Sequence, residues 1–342
     1  TTHNAANRQG RMGRKTLLTT HAGHLTPRSN QISNTYRAGL VPRHSFVAEM
    51  GLDGVVSLSS RDLGPDRADI LIQYLEQLWV AARIRAASKK SDSTATDSGS
   101  TLDRTSLKSI ILNDNRLDDD VGSRIVAALQ RIGTLEVLDM SNNHLGTRTA
   151  LAIGRLSHAR TSLQHLALSG SMPGTLSTST LMGCLRSSCI RRLDLSHNRI
   201  GHSATVDAIC EIIMRSNVLT VLELGWNNFG PRGGVAICTA VLQNKALEKL
   251  DLSFNNMGDK AVALLAEALE GHSCLTNVNV SGNNFGDNAA MELADSMRES
   301  RRGRPAKDCV LNLQHNHLTN VLADDLLSRK QTVANTTALA RH

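Results

Sequence analysis

Aromatic side chains are nearly missing from this chain: it has two Trp, two Tyr and four Phe, 2% of 342 residues. Bulky rings dominate the energetics of an ordinary core, so a single large globular core of the usual kind is excluded and aliphatic residues have to fill the interior. There is no run of about 18 apolar residues, so the sequence offers no membrane-spanning helix. The six Cys, at 184, 189, 210, 238, 274 and 309, include no CxxC pair. Neither a zinc site nor a disulfide scaffold is indicated, and reduced thiols inside a cell are expected. Acidic residues are absent from the first 44 positions, where Arg8, Arg11, Arg14, Lys15, Arg28, Arg37 and Arg43 all stand. The remaining 31 of the 38 Lys and Arg balance 31 Asp and Glu, so the net charge of +7 belongs to the start of the chain.

What is present is a repeated frame. In LEKLDLSFNNMG, Leu247, Leu250 and Leu252 form a short apolar run, followed by Asn255, Met257 and Gly258. The frame returns as LKSIILNDNRL with Asn115, LEVLDMSNNHLG with Asn143, IRRLDLSHNRIG with Asn198, LTVLELGWNNFG with Asn227 and LTNVNVSGNNFG with Asn283. The step from Asn115 to Asn143 is 28 residues, and those from Asn198 onward are 29, 28 and 28. The 55 residues between Asn143 and Asn198 hold two periods, with LQHLALSGSMPG between them and Ser171 in the Asn position. Weaker copies, VVSLSSRDLG and VLNLQHNHL with Asn316, stand at the two ends and bring the count to nine units. Self-similarity at a fixed period marks a solenoid, which adds units along one axis without starting a new core.

Each unit also has a helical half. At ten and fourteen residues past the Asn stand Ile125 and Leu129, Ala208 and Ile212, Ile237 and Val241, Leu265 and Leu269, and Leu293 and Met297. Pairs four apart mark one buried helix face. A strand and a full helix in about 28 residues resemble the leucine-rich repeat of the ribonuclease-inhibitor-like subclass, over about residues 50 to 330. The resemblance implies an α/β leucine-rich repeat solenoid of about nine repeats, a horseshoe with a parallel sheet on its concave face and helices outside. In that frame the Leu positions point inward, the Asn ends the strand by bonding backbone groups, and the Gly relaxes the turn into the helix.

Three stretches depart from the period. Residues 1–49 read as an extended basic arm that cannot bury enough apolar surface to fold alone. The chain begins at Thr1 without Met, and a preceding segment is expected; an Arg-rich, acid-poor start also has the make-up of a mitochondrial targeting segment. The Ser/Thr-rich insertion 88–106 follows a first helix expected over 65–87, in which Tyr74 and Trp79 would close the open end of the stack. A second insertion, 299–308, stretches the last step to 33 residues. The repeat domain spans 50–330, and 331–342 is a polar end. Arg8, Arg11, Arg14 and Lys15 of the arm, with Arg298, Arg301, Arg302, Arg304 and Lys307 around the second insertion, are expected to dock on an acidic surface.

No catalytic constellation, cofactor site or metal site is indicated. His21 with His24, and His315 with His317, lack further ligands to complete a metal site. GWNNFGPRGG has the look of a phosphate loop, but Gly230 is the frame Gly. What remains are the strand positions facing away from the core. Asp139, Asp194, Glu223 and Asp251 make an acidic stripe, and His197, Trp226 and Phe254, each just before a frame Asn, place two rings in adjacent units. Aromatic anchors rimmed by polar groups are the make-up of a protein-binding hot spot. A basic peptide or helix suits this face, whereas nucleic acid has the wrong sign for it.

Leucine-rich repeat proteins with a 28-residue unit occur in the ciliary axoneme, including the regulatory complex that links dyneins to neighbouring microtubule doublets. The chain is similar to these in repeat length and basic arm, which implies a non-enzymatic scaffold in the cytoskeleton of a cilium or flagellum, with the arm on acidic tubulin surfaces. Ran-activating leucine-rich repeat proteins are a second resemblance; they carry an acidic tail that this sequence lacks, and Arg116 has only its place after a frame Asn to recommend it. A mitochondrial ribonucleoprotein component is the third expectation.

Overall fold

The computed structural model describes residues 54–91, 107–158, 162–172, 174–185, 188–271, 274–299, 310–320 and 322. Among these, three-residue strands alternate with helices: β1 (Val55–Ser57), α1 (Pro65–Ser91), β2 (Ser109–Ile111), α2 (Asp119–Leu129), β3 (Val137–Asp139), α3 (Thr147–His158), β4 (His165–Ala167), α4 (Thr175–Leu185) and β5 (Arg192–Asp194). The alternation continues with α5 (Ser203–Arg215), β6 (Val221–Glu223), α6 (Gly230–Gln243), β7 (Lys249–Asp251), α7 (Asp259–Glu270), β8 (Asn277–Asn279), α8 (Asp287–Glu299) and β9 (Val310–Asn312).

The strands form one parallel sheet in chain order, β1 to β9. Its register carries the frame through the whole array: Leu222 pairs with Leu250 and Leu250 with Val278, so equivalent residues lie side by side. The middle residue of each strand is buried and its neighbours face the other way, as a pleat of period two requires. Helices are about 10 Å across and strands pack about 4.8 Å apart. Stacking them in alternation therefore bends the array with the sheet inside the curve.

The core lies between sheet and helices. Leu247, Leu252, Met257, Leu265 and Leu269 are fully buried, and most corresponding residues of the other described units are buried too. The frame asparagines close the layer at the strand ends. Asn255 Nδ2 donates to the carbonyls of Leu252 and Ser253 in its own unit and of Leu224 in the preceding one. Its Oδ1 accepts from the Asn227 and Phe229 backbone N–H groups. Each Asn thus joins two units, which goes beyond ending a strand. In the degenerate unit Ser171 keeps part of the role, its Oγ donating to Met140 O and accepting from Asn143 N.

A second inter-unit bond comes from acids at the first position of helices. Asp119 accepts from the backbone N–H groups of Gly146, Arg148 and Thr149, so it caps α3 from the neighbouring unit. Asp259 accepts from Gly286 N and Asp287 from Thr319 N in the same manner. Partial burial pushes the Asp119 carboxyl up, but the donors of Thr149, Arg148 and Gly146 outweigh it and hold the group below its ordinary 3.8.

The insertion boundaries are corrected by the structure. Helix α1 runs to Ser91, so residues 88–91 belong to the helix, and Glu299 ends α8, so the second interruption follows it. Both shifts reflect polar and charged residues that continue a helix as readily as they start a loop. Tyr74, Leu71 and Leu75 of α1 are buried. Trp79 is half-buried, with the guanidinium groups of Arg83 and Arg131 5.0 and 5.3 Å from its ring. The basic arm, the remainder of both insertions and the polar end lie outside the described residues.

Candidate functional site

The last residue of each strand faces the concave side, and the register sets Asp139, Ala167, Asp194, Glu223, Asp251 and Asn279 side by side. Ala167 interrupts the acidic stripe. Asp139 therefore stands apart, and Asp194, Glu223 and Asp251 form the contiguous trio.

Most residues at this position also serve the turn that follows. Asp139, Asp194 and Asp251 accept from the backbone N–H groups of Ser141, Ser196 and Ser253, and Asn279 and Asn312 do the same for Ser281 and Gln314. These are Asx turns, in which a short side chain bonds the backbone two residues on. Glu223 departs from the pattern. Its carboxylate is held by Arg192 at 2.7 Å across the strands. Partial burial first, then the negative charge of Asp194, push its proton affinity up; Arg192 opposes them, while Asp251 and a hydrogen bond shared with Asp194 push further up. On the other side Asp251 accepts from Asn279 Nδ2 at 2.9 Å.

Three residues beyond each acid of the trio, the chain places a ring. His197 and Trp226 are stacked with centroids 5.5 Å apart, and Trp226 and Phe254 at 4.0 Å with 15° between their planes. The row continues to His315, 5.9 Å from Phe254 and tilted by 36°. Gly282 makes this continuation geometrically feasible. A Cβ there would lie 2.5 Å from the Phe254 ring, and the residue has φ +65°. His315 is absent from the residues expected at the site, although it holds the same frame position; the 33-residue last step and the intervening Gly282 obscure it. Arg192 was also missed. It stands two residues before Asp194 on the same strand face, and only the register brings it to Glu223.

The backbone at these rings is left-handed: φ is 60° at His197, 60° at Trp226, 52° at Phe254 and 57° at His315. Elsewhere the position is filled by Ser60, Asp114, Asn142, Gly170 and Gly282, mostly types that accept this conformation cheaply. Trp226 is 50% exposed and Phe254 half-buried beneath its neighbours. The rings are carried at a backbone cost of about 1 kcal/mol each, and Trp226 still leaves half of its surface in solvent.

Of the basic residues, Arg298 lies on α8, not in a loop, and pairs with Asp295 at 3.1 Å. Arg8, Arg11, Arg14, Lys15, Arg301, Arg302, Arg304 and Lys307 lie outside the described residues. Among the described residues, no group of three or more His, Cys, Asp or Glu could hold a metal ion, and no helix is long and apolar enough to cross a membrane. Cys184, Cys189, Cys210, Cys238 and Cys274 are free thiols. Burial pushes Cys210 up to about 11, with help from Asp207, and Cys238 up to about 12, so neither ionises readily as a nucleophile.

Comparison with known proteins matches two repeat models, one described as Leucine Rich repeat over residues 186–203, 215–238, 243–266 and 271–294, the other as Leucine Rich Repeat over 134–156. No curated protein sequence matches. Among solved structures the chain is similar to a protein from Bacteroides fragilis, at 15% identity and TM-score 0.42, covering 86% of this chain and 83% of that one. It is also similar to a chain of the yeast Rad7 and Elc1 complex, at 13% identity and TM-score 0.36, covering 84% and 73%. With its strand–helix units in one parallel sheet and repeat matches over 134–156 and between 186 and 294, this chain is built of leucine-rich repeats.

Proposed function

We propose that this chain is a non-catalytic scaffold that binds a protein partner through its concave face within a larger assembly. The observation that carries the reading is the stacked row His197, Trp226 and Phe254, held in a costly backbone conformation and left half in solvent. Aromatics in a left-handed backbone, stacked on one another outside the core and half in solvent, are the kind of outlier from which function is inferred, and Trp is enriched among the anchors of protein interfaces. Replacing Trp226 and Phe254 together with Ala is expected to leave the melting temperature within a few degrees and to release the tagged chain from its complex, read by gradient sedimentation of a cell extract. Arg116→Ala, which an activator of a GTPase would not tolerate, is expected to leave the complex intact. A folded double variant that stays in its complex sinks the concave-face reading.

The assembly we propose is the ciliary or flagellar axoneme, supported by resemblance in repeat length and basic arm, with the arm on acidic tubulin surfaces. A tagged chain should decorate the axoneme. Accumulation in mitochondria would overturn that placement and favour the ribonucleoprotein alternative.

A further inference from the structure

The acids of the concave trio exceed what the fold requires. Asn279 and Asn312 make the same turn bond as Asp194 and Asp251, so a neutral side chain serves the turn equally well. Glu223 ends a strand followed by Gly225, and its carboxylate accepts from Arg192 instead of from the turn. Three carboxylates on adjacent strands repel one another. Arg192 relieves one of them, while Lys249 stands on the same strand face two residues before Asp251. The face is thus banded: Arg192 and Lys249 at the strand starts, the acids at the strand ends, the rings just beyond.

From this banding we infer that the occupant of the concave face is a basic segment of a partner protein, whose Arg or Lys side chains run along Trp226 and Phe254 and set their charged heads on Asp194, Glu223 and Asp251. The inference rests on the scaffold reading and deepens it. Charge complementarity selects this occupant: cations would relieve the repulsion that the fold leaves standing. Long basic side chains also carry an apolar stem that suits the rings and a head that seeks carboxylates.

The test uses the full chain with Trp79→Phe, so that emission reports Trp226, titrated with a nona-arginine peptide and, as control, a nona-glutamate peptide. The arginine peptide is expected to change the emission saturably, with affinity falling as salt rises. Asp194→Asn with Asp251→Asn, which keeps the turn bonds, is expected to melt no lower than the parent and to bind tenfold or more weakly. Equal affinity in that variant, no saturable response in the parent, or equal binding of the glutamate peptide overturns the inference. So does a zero-length carboxyl–amine cross-link from Lys15 to the trio in the isolated chain, which would assign the face to the chain's own arm. In cells the two readings separate. If the ring variant loses the assembly while the Asn variant keeps it, the scaffold reading stands and the basic occupant falls; loss in both supports both.

Discussion

At the scale of single residues, the frame Asn and the concave acids carry opposite signs of stability. Asn255 is fully buried and its side chain makes hydrogen bonds to five backbone groups in two units. Asn255→Ala strands those groups out of reach of water, and an unfolding free energy lower by about 3–5 kcal/mol is expected from urea titration. Asn255→Ser should lose less, because Ser171 already fills the role with three partners. Glu223 is the reverse case. Its raised proton affinity means that the folded state binds the proton more tightly than the unfolded chain. The stability it supplies is present below its unfolded value and lost as pH rises through the folded one, so at neutral pH the charged group is a net cost. Glu223→Gln is therefore expected to raise the melting temperature by about 1–2 °C at pH 7, by analogy with removal of a like-charge pair, and to weaken partner binding. A melting temperature lowered by the change would show that Arg192 outweighs the two flanking acids.

At the scale of elements, the helices depend on their neighbours. The N-terminus of α3 takes its cap from Asp119 on α2, so a terminus with unpaired N–H groups is completed only by stacking. Asp119→Ala is expected to cost about 1–2 kcal/mol. The pH window follows from the direction of its shift. With the folded value below the ordinary 3.8, the contribution is complete above that value and lost as pH falls through the folded one. Urea midpoints of parent and Asp119→Asn should differ by a constant amount at neutral and mildly acidic pH and converge in strong acid. Midpoints that converge instead on the alkaline side would refute the cap.

At the scale of the whole molecule, charge and folding are separable. The described core closes from Val56 in the first unit to Leu322 beyond the last strand, while the first 44 residues hold seven cations and no acid. Deleting residues 1–44 is expected to leave the melting temperature within about 2 °C and to weaken assembly at low salt far more than at high salt, since exposed charges are screened within about 10 Å at 0.1 M. A collapse of thermal stability on deletion would place the arm within the core.

The nine units, the inward Leu positions and the outward acids and rings were legible in the sequence, because a fixed period places every residue relative to its counterpart in the next unit. Asp194, Glu223, Asp251, Trp226 and Phe254 could each be assigned a face from that period alone. Tertiary structure decided what the period does not encode. Ala167 divides the acidic stripe and Arg192 reaches Glu223 because lateral register converts residues about 28 apart into neighbours. His315 joins the ring row because Gly282 leaves room for Phe254 to lean across it. The ends of α1 and α8 were likewise beyond the sequence pattern, since polar and charged residues continue a helix as readily as they start a loop. Periodicity determines which side of the sheet a residue occupies; only the packed array decides which residues meet there, because contact across strands depends on register and on the volume of the intervening side chain.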